Sequence, residues 1–205
     1  MKSPIELFRD AEKFCRENGF DKEIEWCEQR PTFNRMLDWQ ILKEYAWVVF
    51  NSGMRNSVIE AKWQEICEAF RFFNLKFILD EPDTVLKEAL NVFGHYNKVG
   101  AVIEFAEKLW KEGSGFRNKV NENPLDTLTQ LSFIGDITKY HLARNLGFDF
   151  IKPDRHLTRL GDRYGLTAFE LCNLIHEKTG RRLGTIDVIL WRYCEQKGQT
   201  KLRLD

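Results

Sequence analysis

Residues 128–148, LTQLSFIGDITKYHLARNLGF, carry the most specific structural pattern in the sequence. A short helix ends at Leu131, a tight turn follows at Ile134-Gly135, and a second helix begins directly after it. The inner face of the second helix is given by residues three and four apart: Thr138, Leu142, Ala143 and Leu146. The pattern predicts a helical hairpin at about 125–147. Such a turn directs backbone N–H groups and a helix N-terminus outward, which suits one phosphate group; an ordinary helical hairpin that binds nothing has the same pattern.

The helical period continues outside the hairpin, so that we predict an all-α fold. Only FDFIK (148–152) has the alternation of a strand. Three predicted helices have a capping residue: Ser3, Asp38 (for the helix that ends at 51) and Asp83. Further helices are predicted over 56–73, 97–112, 156–164, 167–178 and 185–195, and a short one starts at Asn123-Pro124. A loop is predicted between Gly113 and Asn123.

Composition sets limits on the class of protein. With 205 residues, 43% of them apolar and 16 of them Phe, the chain can bury a substantial core. No run of 18 apolar residues predicts a membrane span, and the N-terminus lacks the form of a signal peptide, so we expect a cytoplasmic (nucleoid) or nuclear protein. The five cysteines are irregularly spaced without a CxxC pair, which predicts free thiols. Zero net charge argues against a broad basic face, although a few phosphates can be held by backbone N–H groups.

The segment FDFIKPDRHLTRL (148–160) places Asp154 directly behind Pro153, at a predicted helix N-terminus. Asp is favoured at this position because its side chain caps the helix, and on its own that interpretation is the more common one. A carboxylate placed there can also face a cleft and stabilise a positively charged sugar. The residues alone leave both interpretations open.

Together these segments resemble the helix–hairpin–helix DNA glycosylase superfamily. Its hairpin motif, L-P-G-[VI]-G-x-x-T-A, is similar to residues 131–139, and its V-D-x-H-[VIL]-x-R-[VIL] motif is similar to residues 153–160. The pattern G-[FY]-x-x-K-A-x-x-[IL] is similar to residues 94–103. The segment EYAWVVFNSGMRNSVIEAKW (44–63) is similar to the one that opens the family's domain. The matches follow one another in the family's order and spacing.

The resemblance implies an enzyme that flips a damaged or mispaired base out of double-stranded DNA and hydrolyses its N-glycosidic bond. It implies a monomer with two helical lobes and an active-site cleft between them, one lobe spanning 44–154 and the other combining 1–43 with 155–205. Asp154 would be the catalytic carboxylate, and the loop of Gly53, Met54 and Arg55 would fill the gap in the base stack. The hairpin residues expected to bind DNA are Ser132, Phe133, Ile134, Gly135, Thr138 and Lys139. Aromatic residues expected to stack on the flipped base are Trp39, Tyr45, Trp47, Tyr140 and Trp191.

Three departures from the family pattern refine this expectation. Phe133 stands where the family has its first Gly and Ser132 where Pro is common, so a monovalent cation at the hairpin stays an open possibility. Ile137 occupies the position of the catalytic lysine of lyase members, and Lys139 points about 200° away on a helix. We therefore expect a monofunctional enzyme without AP lyase activity. Only Cys172 and Cys194 follow Asp154, so no iron–sulfur cluster is expected.

Three other functions compete with this one. The chain could be a DNA-binding module in which Asp154 is only a cap, a bifunctional glycosylase and lyase acting through Lys139 or Lys152, or a helical protein-interaction domain. The base that is released is not determined by the sequence, although the aromatic content and the missing lyase lysine favour alkylated or other electron-poor bases.

Overall fold

The computed structural model describes residues 2–198, and within that range it contains helices and no strand, which confirms the predicted all-α class. Two short 3-10 helices lie at Phe33–Arg35 and Arg71–Phe73. The α-helices of the described range are α1 (Pro4–Glu17), α2 (Asp21–Glu28), α3 (Asp38–Asn51), α4 (Asn56–Ala69), α5 (Leu75–Asp80), α6 (Pro82–Val92), α7 (Tyr96–Glu112), α8 (Ser114–Glu122), α9 (Pro124–Thr129), α10 (Thr138–Asn145), α11 (Arg155–Asp162), α12 (Ala168–Thr179) and α13 (Leu183–Gly198).

Helix termini agree with the sequence where a side chain caps them. Ser3 caps α1 in a capping box with Glu6, as predicted. Asp38, however, is the first residue of α3 and not its cap, since the N-cap is Leu37. The Asp38 carboxylate accepts a hydrogen bond of 2.5 Å from Arg117. The predicted strand at 148–152 is an extended link without strand pairing.

Two helical predictions were wrong in extent. The helix predicted over 56–73 ends at Ala69, because the backbone turns left-handed at Arg71–Phe73. The loop predicted after Gly113 is mostly the helix α8: Gly113, at φ 49°, ends α7, and the chain becomes helical again at Ser114.

The chain divides into two compact units. The hairpin unit is Pro31–Leu146, and the terminal unit combines Met1–Arg30 with Gly147–Asp205, as far as these residues are described. The predicted lobes have other boundaries, since 31–43 belong to the hairpin unit and 147–154 to the terminal unit. The lobes and the cleft implied by the resemblance stay predictions.

Each unit has its own apolar core. Aromatic rings fill the hairpin unit, and the largest of its fully buried side chains are Tyr45, Phe50, Phe70, Phe73 and Phe116. The core of the terminal unit brings α1 together with the C-terminal helices through residues such as Phe8, Leu157, Leu171 and Ile189. All five cysteines are buried, and none of them forms a disulfide. None of the described helices is long and apolar enough to cross a membrane.

Candidate functional site

In the segment where the hairpin is predicted, α9 is followed by a turn over residues 130–137 and then by α10. The N–H of Ile134 donates to the carbonyl of Leu131 at 3.1 Å, and the Ile134 side chain is buried as the anchor of the turn. Phe133 adopts φ 63°, a left-handed conformation that glycine takes without strain and other residues rarely adopt. This is the position at which the family motif has its first Gly.

Thr138 closes the turn with its hydroxyl. The oxygen accepts a hydrogen bond of 2.7 Å from the N–H of Gly135, and the hydroxyl lies 3.3 Å from the Phe133 carbonyl, to which it donates. The backbone N–H groups of Asp136, Ile137 and Thr138 donate no hydrogen bond to any described residue. They are the unsatisfied donors of the α10 N-terminus, where the helix dipole favours an anion.

A surface depression of about 480 Å³ lies over these groups. Its lining consists of Ser52, Phe133, Ile134, Gly135, Asp136, Ile137 and Thr138. The hairpin and the loop after α3 therefore share one surface, because Ser52 belongs to that loop. The sequence assigned DNA contacts to both segments, and the structure brings them together.

The buried side chain of Lys98 contacts both the end of α3 and the turn after α9. Its side chain is 3% exposed, and Nζ donates to the carbonyls of Phe50 at 3.1 Å and Ser52 at 2.5 Å, at the C-terminal end of α3. The same ammonium lies 6.0 Å from the centroid of the Phe133 ring. Burial lowers the pKa of Lys98. One buried cation thus contacts the end of α3 and the residue with the unusual φ.

Residues 53–55 of the loop after α3 are exposed. Gly53 takes φ 71°, Met54 is 41% exposed, and Arg55 is exposed without an ion-pair partner in the described part of the chain. Exposure and the lack of a protein partner are properties that suit a side chain inserted into a base stack, because no contact within the protein has to be broken first.

Tyr45 holds the hairpin from the core. Its hydroxyl donates to the Ser132 carbonyl at 2.9 Å, and its ring packs 4.4 Å from that of Phe105. Burial raises the pKa of Tyr45. Because Tyr45 is 1% exposed, no face of its ring is open to a stacked base, so its position corrects the expected role to a positioning one.

The other expected stacking residues differ in accessibility. Trp39 is 41% exposed, whereas Trp47 packs edge-on against Trp63 at 4.8 Å. Tyr140 is partly buried, with the Lys139 ammonium 5.6 Å from its centroid. Trp191 belongs to the terminal unit, where the Arg192 guanidinium lies 4.6 Å from its ring centroid.

A hydrogen bond between Asn145 and Glu44 connects α10 with α3, and the sequence did not predict it. Asn145 is buried, and its side-chain nitrogen donates to the Glu44 carboxylate at 3.0 Å. The two residues are 101 positions apart, so no local pattern predicts the contact.

Asp154 lies in the terminal unit as the N-cap of α11. Its Oδ1 accepts hydrogen bonds from the N–H groups of His156 at 2.8 Å and Leu157 at 3.3 Å. Its Oδ2 receives none from the residues that the structure describes. Asp154 is partly exposed, and the hydrogen bonds to Oδ1 fix the orientation of its carboxylate.

Buried groups support the link that carries Asp154. The Asp187 carboxylate, 1% exposed, accepts a hydrogen bond of 2.6 Å from the N–H of Lys152. Burial raises the pKa of Cys194 to about 11. The charge of Arg163 opposes this rise, and the charge of Asp154 adds to it. The sequence did not identify Asp187, because no local pattern predicts its hydrogen bond with Lys152, which is 35 residues away.

No family model matches the chain, and the comparisons with curated proteins and with solved structures give no significant match. No group of three His, Cys, Asp or Glu side chains in the described residues is placed to hold a metal ion. The resemblance to the glycosylases therefore depends on the motifs in residues 44–160 alone.

Proposed function

We propose that the protein is a DNA glycosylase that flips a damaged or mispaired base and hydrolyses its N-glycosidic bond, with Asp154 as the catalytic carboxylate. The observation that carries the proposal is the backbone at Phe133. A left-handed conformation costs a non-glycine residue about 1–2 kcal/mol, and it occurs at the position where the family motif has glycine. Strain of this kind persists where the surrounding structure requires a particular turn.

The surface of the turn supports binding to a DNA backbone. Three N–H groups at 136–138 lack protein acceptors and lie at a depression with room for a phosphate. Backbone donors at a helix N-terminus bind anions without a basic side chain. The zero net charge of the chain is therefore compatible with this mode of binding.

The loop after α3 supplies the group that replaces the flipped base. Met54 is the candidate wedge because its flexible apolar side chain is exposed, and Arg55 is the alternative. Flipping costs a few kcal/mol in lost stacking, and a side chain that enters the gap offsets part of that cost.

The chemical step requires a carboxylate near the sugar. Glycosidic cleavage develops positive charge on the sugar ring, and a carboxylate stabilises this charge or orients the attacking water. The two backbone hydrogen bonds to Oδ1 hold the Asp154 side chain in one orientation, and Oδ2, which accepts no hydrogen bond from the described residues, is the oxygen proposed to face the sugar.

The residues at the lyase position support a monofunctional enzyme. Ile137 is 43% exposed and carries no amine. The Lys139 ammonium lies 3.3 Å from the Asp136 carboxylate, which engages it within the turn. Formation of a covalent imine with the abasic sugar is therefore not part of the proposal.

A panel of duplex oligonucleotides, each with one lesion or mispair, tests the proposed activity. The expected result is strand cleavage for at least one substrate only after alkali treatment, because the enzyme leaves an abasic site intact. Cleavage without alkali would identify a lyase. Binding without release of any base would identify a DNA-binding module, which the capping role of Asp154 also favours.

A further inference from the structure

The outer face of α11 carries a row of arginines. Arg155, Arg159 and Arg163 are spaced by four residues, so they share one side of the helix and follow one another at about 6 Å. All three are exposed. The opposite side of α11 is buried through Leu157 and Leu160.

None of these three arginines forms an ion pair with a carboxylate of the described residues. Arg155 makes only a long hydrogen bond, from Nε to Nε2 of His156 at 3.5 Å. Many other arginines of the chain do have acidic partners, at N–O distances between 2.5 and 3.2 Å: Arg16, Arg71, Arg117, Arg181 and Arg192.

Helix stability explains only part of this row. Arg163 follows the last turn of α11, where the helix dipole favours a cation, but Arg155 is the first helical residue, where the dipole disfavours one. The acids on the helix are Asp162, which is exposed, and Asp154 at the cap. A cation that weakens its own helix and pairs with no acid requires another explanation.

We infer that the row formed by Arg155, Arg159 and Arg163, the arginine face, binds successive phosphates of a DNA strand. This inference rests on the proposed function, and it assigns to the terminal unit a DNA contact in addition to the hairpin. Three guanidinium groups offer charge complementarity to a polyanion, since each can donate two hydrogen bonds to one phosphate. The row begins one residue after Asp154, so it holds the strand next to the proposed catalytic group.

The salt dependence of DNA binding tests this inference. The affinity for a duplex falls with salt concentration, with a logarithmic slope of about −0.9 for each phosphate contact. We expect each of Arg155→Gln, Arg159→Gln and Arg163→Gln to reduce the slope by about 0.9, and the triple variant by about 2 to 3. Arg159→Lys should retain the wild-type slope, because it keeps the charge.

Arg9→Gln is the matched control, since Arg9 is an exposed arginine of the terminal unit, on α1, without an ion pair in the described range. It should keep the wild-type slope, and circular dichroism should show that all variants are folded. A triple variant with the slope of the wild type, or a wild type that does not bind duplex DNA, would overturn the inference. If the wild type binds DNA but releases no base, the proposed function fails and the slopes still decide the arginine face.

Discussion

Lys98 illustrates how one residue determines the local geometry of the candidate site. Its ammonium is bonded to the carbonyls of Phe50 and Ser52, and it lies next to the Phe133 ring. A buried carbonyl that loses its donor costs about 1–3 kcal/mol. We expect Lys98→Met to lower the free energy of unfolding at pH 7 by about 2 kcal/mol, measured by urea denaturation.

The same residue gives a prediction about pH. Burial lowers the pKa of Lys98 in the folded protein, so the unfolded chain binds more protons between that lowered pKa and the ordinary value of 10.5. Stability linked to Lys98 therefore rises as the pH increases through this window. The difference in unfolding free energy between the wild type and Lys98→Met should grow in favour of the wild type up to about pH 10.5. A difference that is constant or shrinks would contradict the assigned direction.

Asp136 limits the affinity of the turn for an anion. Its side chain is 93% exposed and lies at the α10 N-terminus, beside the N–H groups proposed to bind a phosphate. We expect Asp136→Asn to tighten binding to duplex DNA by about 2- to 5-fold at low salt, because one repulsive charge of about 1 kcal/mol or less is removed. Fluorescence anisotropy measures the change. Asp83→Asn removes an exposed acid of α6 outside the depression and should leave affinity unchanged.

Among the secondary-structure elements, the turn after α4 has a left-handed backbone that the sequence does not predict. Arg71, Phe72 and Phe73 have φ of 48°, 53° and 61°, although none of them is glycine. Phe70 and Phe73 stack at 5.5 Å in the core, and Arg71 forms an ion pair of 2.7 Å with Glu88. Tertiary contacts at both ends therefore offset the local cost.

Phe72 is the residue of this turn whose side chain contributes least, since it is 61% exposed. We expect Phe72→Gly to raise the free energy of unfolding by up to about 1 kcal/mol, because glycine adopts a positive φ without strain. Thermal denaturation measures the effect. Phe169→Gly, a change at a half-exposed residue within α12, should instead destabilise the protein, as glycine does in helices generally.

Sequence patterns predicted those elements whose ends are set locally. Thr167 caps α12 with Glu170 three residues later, and Asp154 caps α11 behind Pro153. The break after Ala69 was missed, because the pairing of Arg71 with Glu88 spans 17 residues. The same limit applies to the candidate site. The turn over residues 130–137 and the cap at Asp154 follow local patterns, whereas the hydrogen bond from Tyr45 to Ser132 spans 87 residues and no local pattern predicts it.

The proposed function divides its tasks between the two units of the chain. The hairpin unit carries the proposed backbone-binding turn and the wedge loop, and the terminal unit carries Asp154 and the arginine face. The principal alternative is that Asp154 does no more than cap α11. Because Asn caps helices as well as Asp does, Asp154→Asn removes the charge and retains the cap.

The most direct test is the rate of base release by Asp154→Asn under single-turnover conditions, with enzyme in excess over a lesion duplex from which the wild type releases the base. The matched control is Thr167→Ala, which removes the cap of α12 at a cost of about 1 kcal/mol and leaves every proposed catalytic group in place. We expect Asp154→Asn to bind the duplex and to unfold like the wild type but to release the base at least about 100-fold more slowly. Thr167→Ala should retain the wild-type rate. A wild-type rate of base release in Asp154→Asn would show that the Asp154 carboxylate is not catalytic.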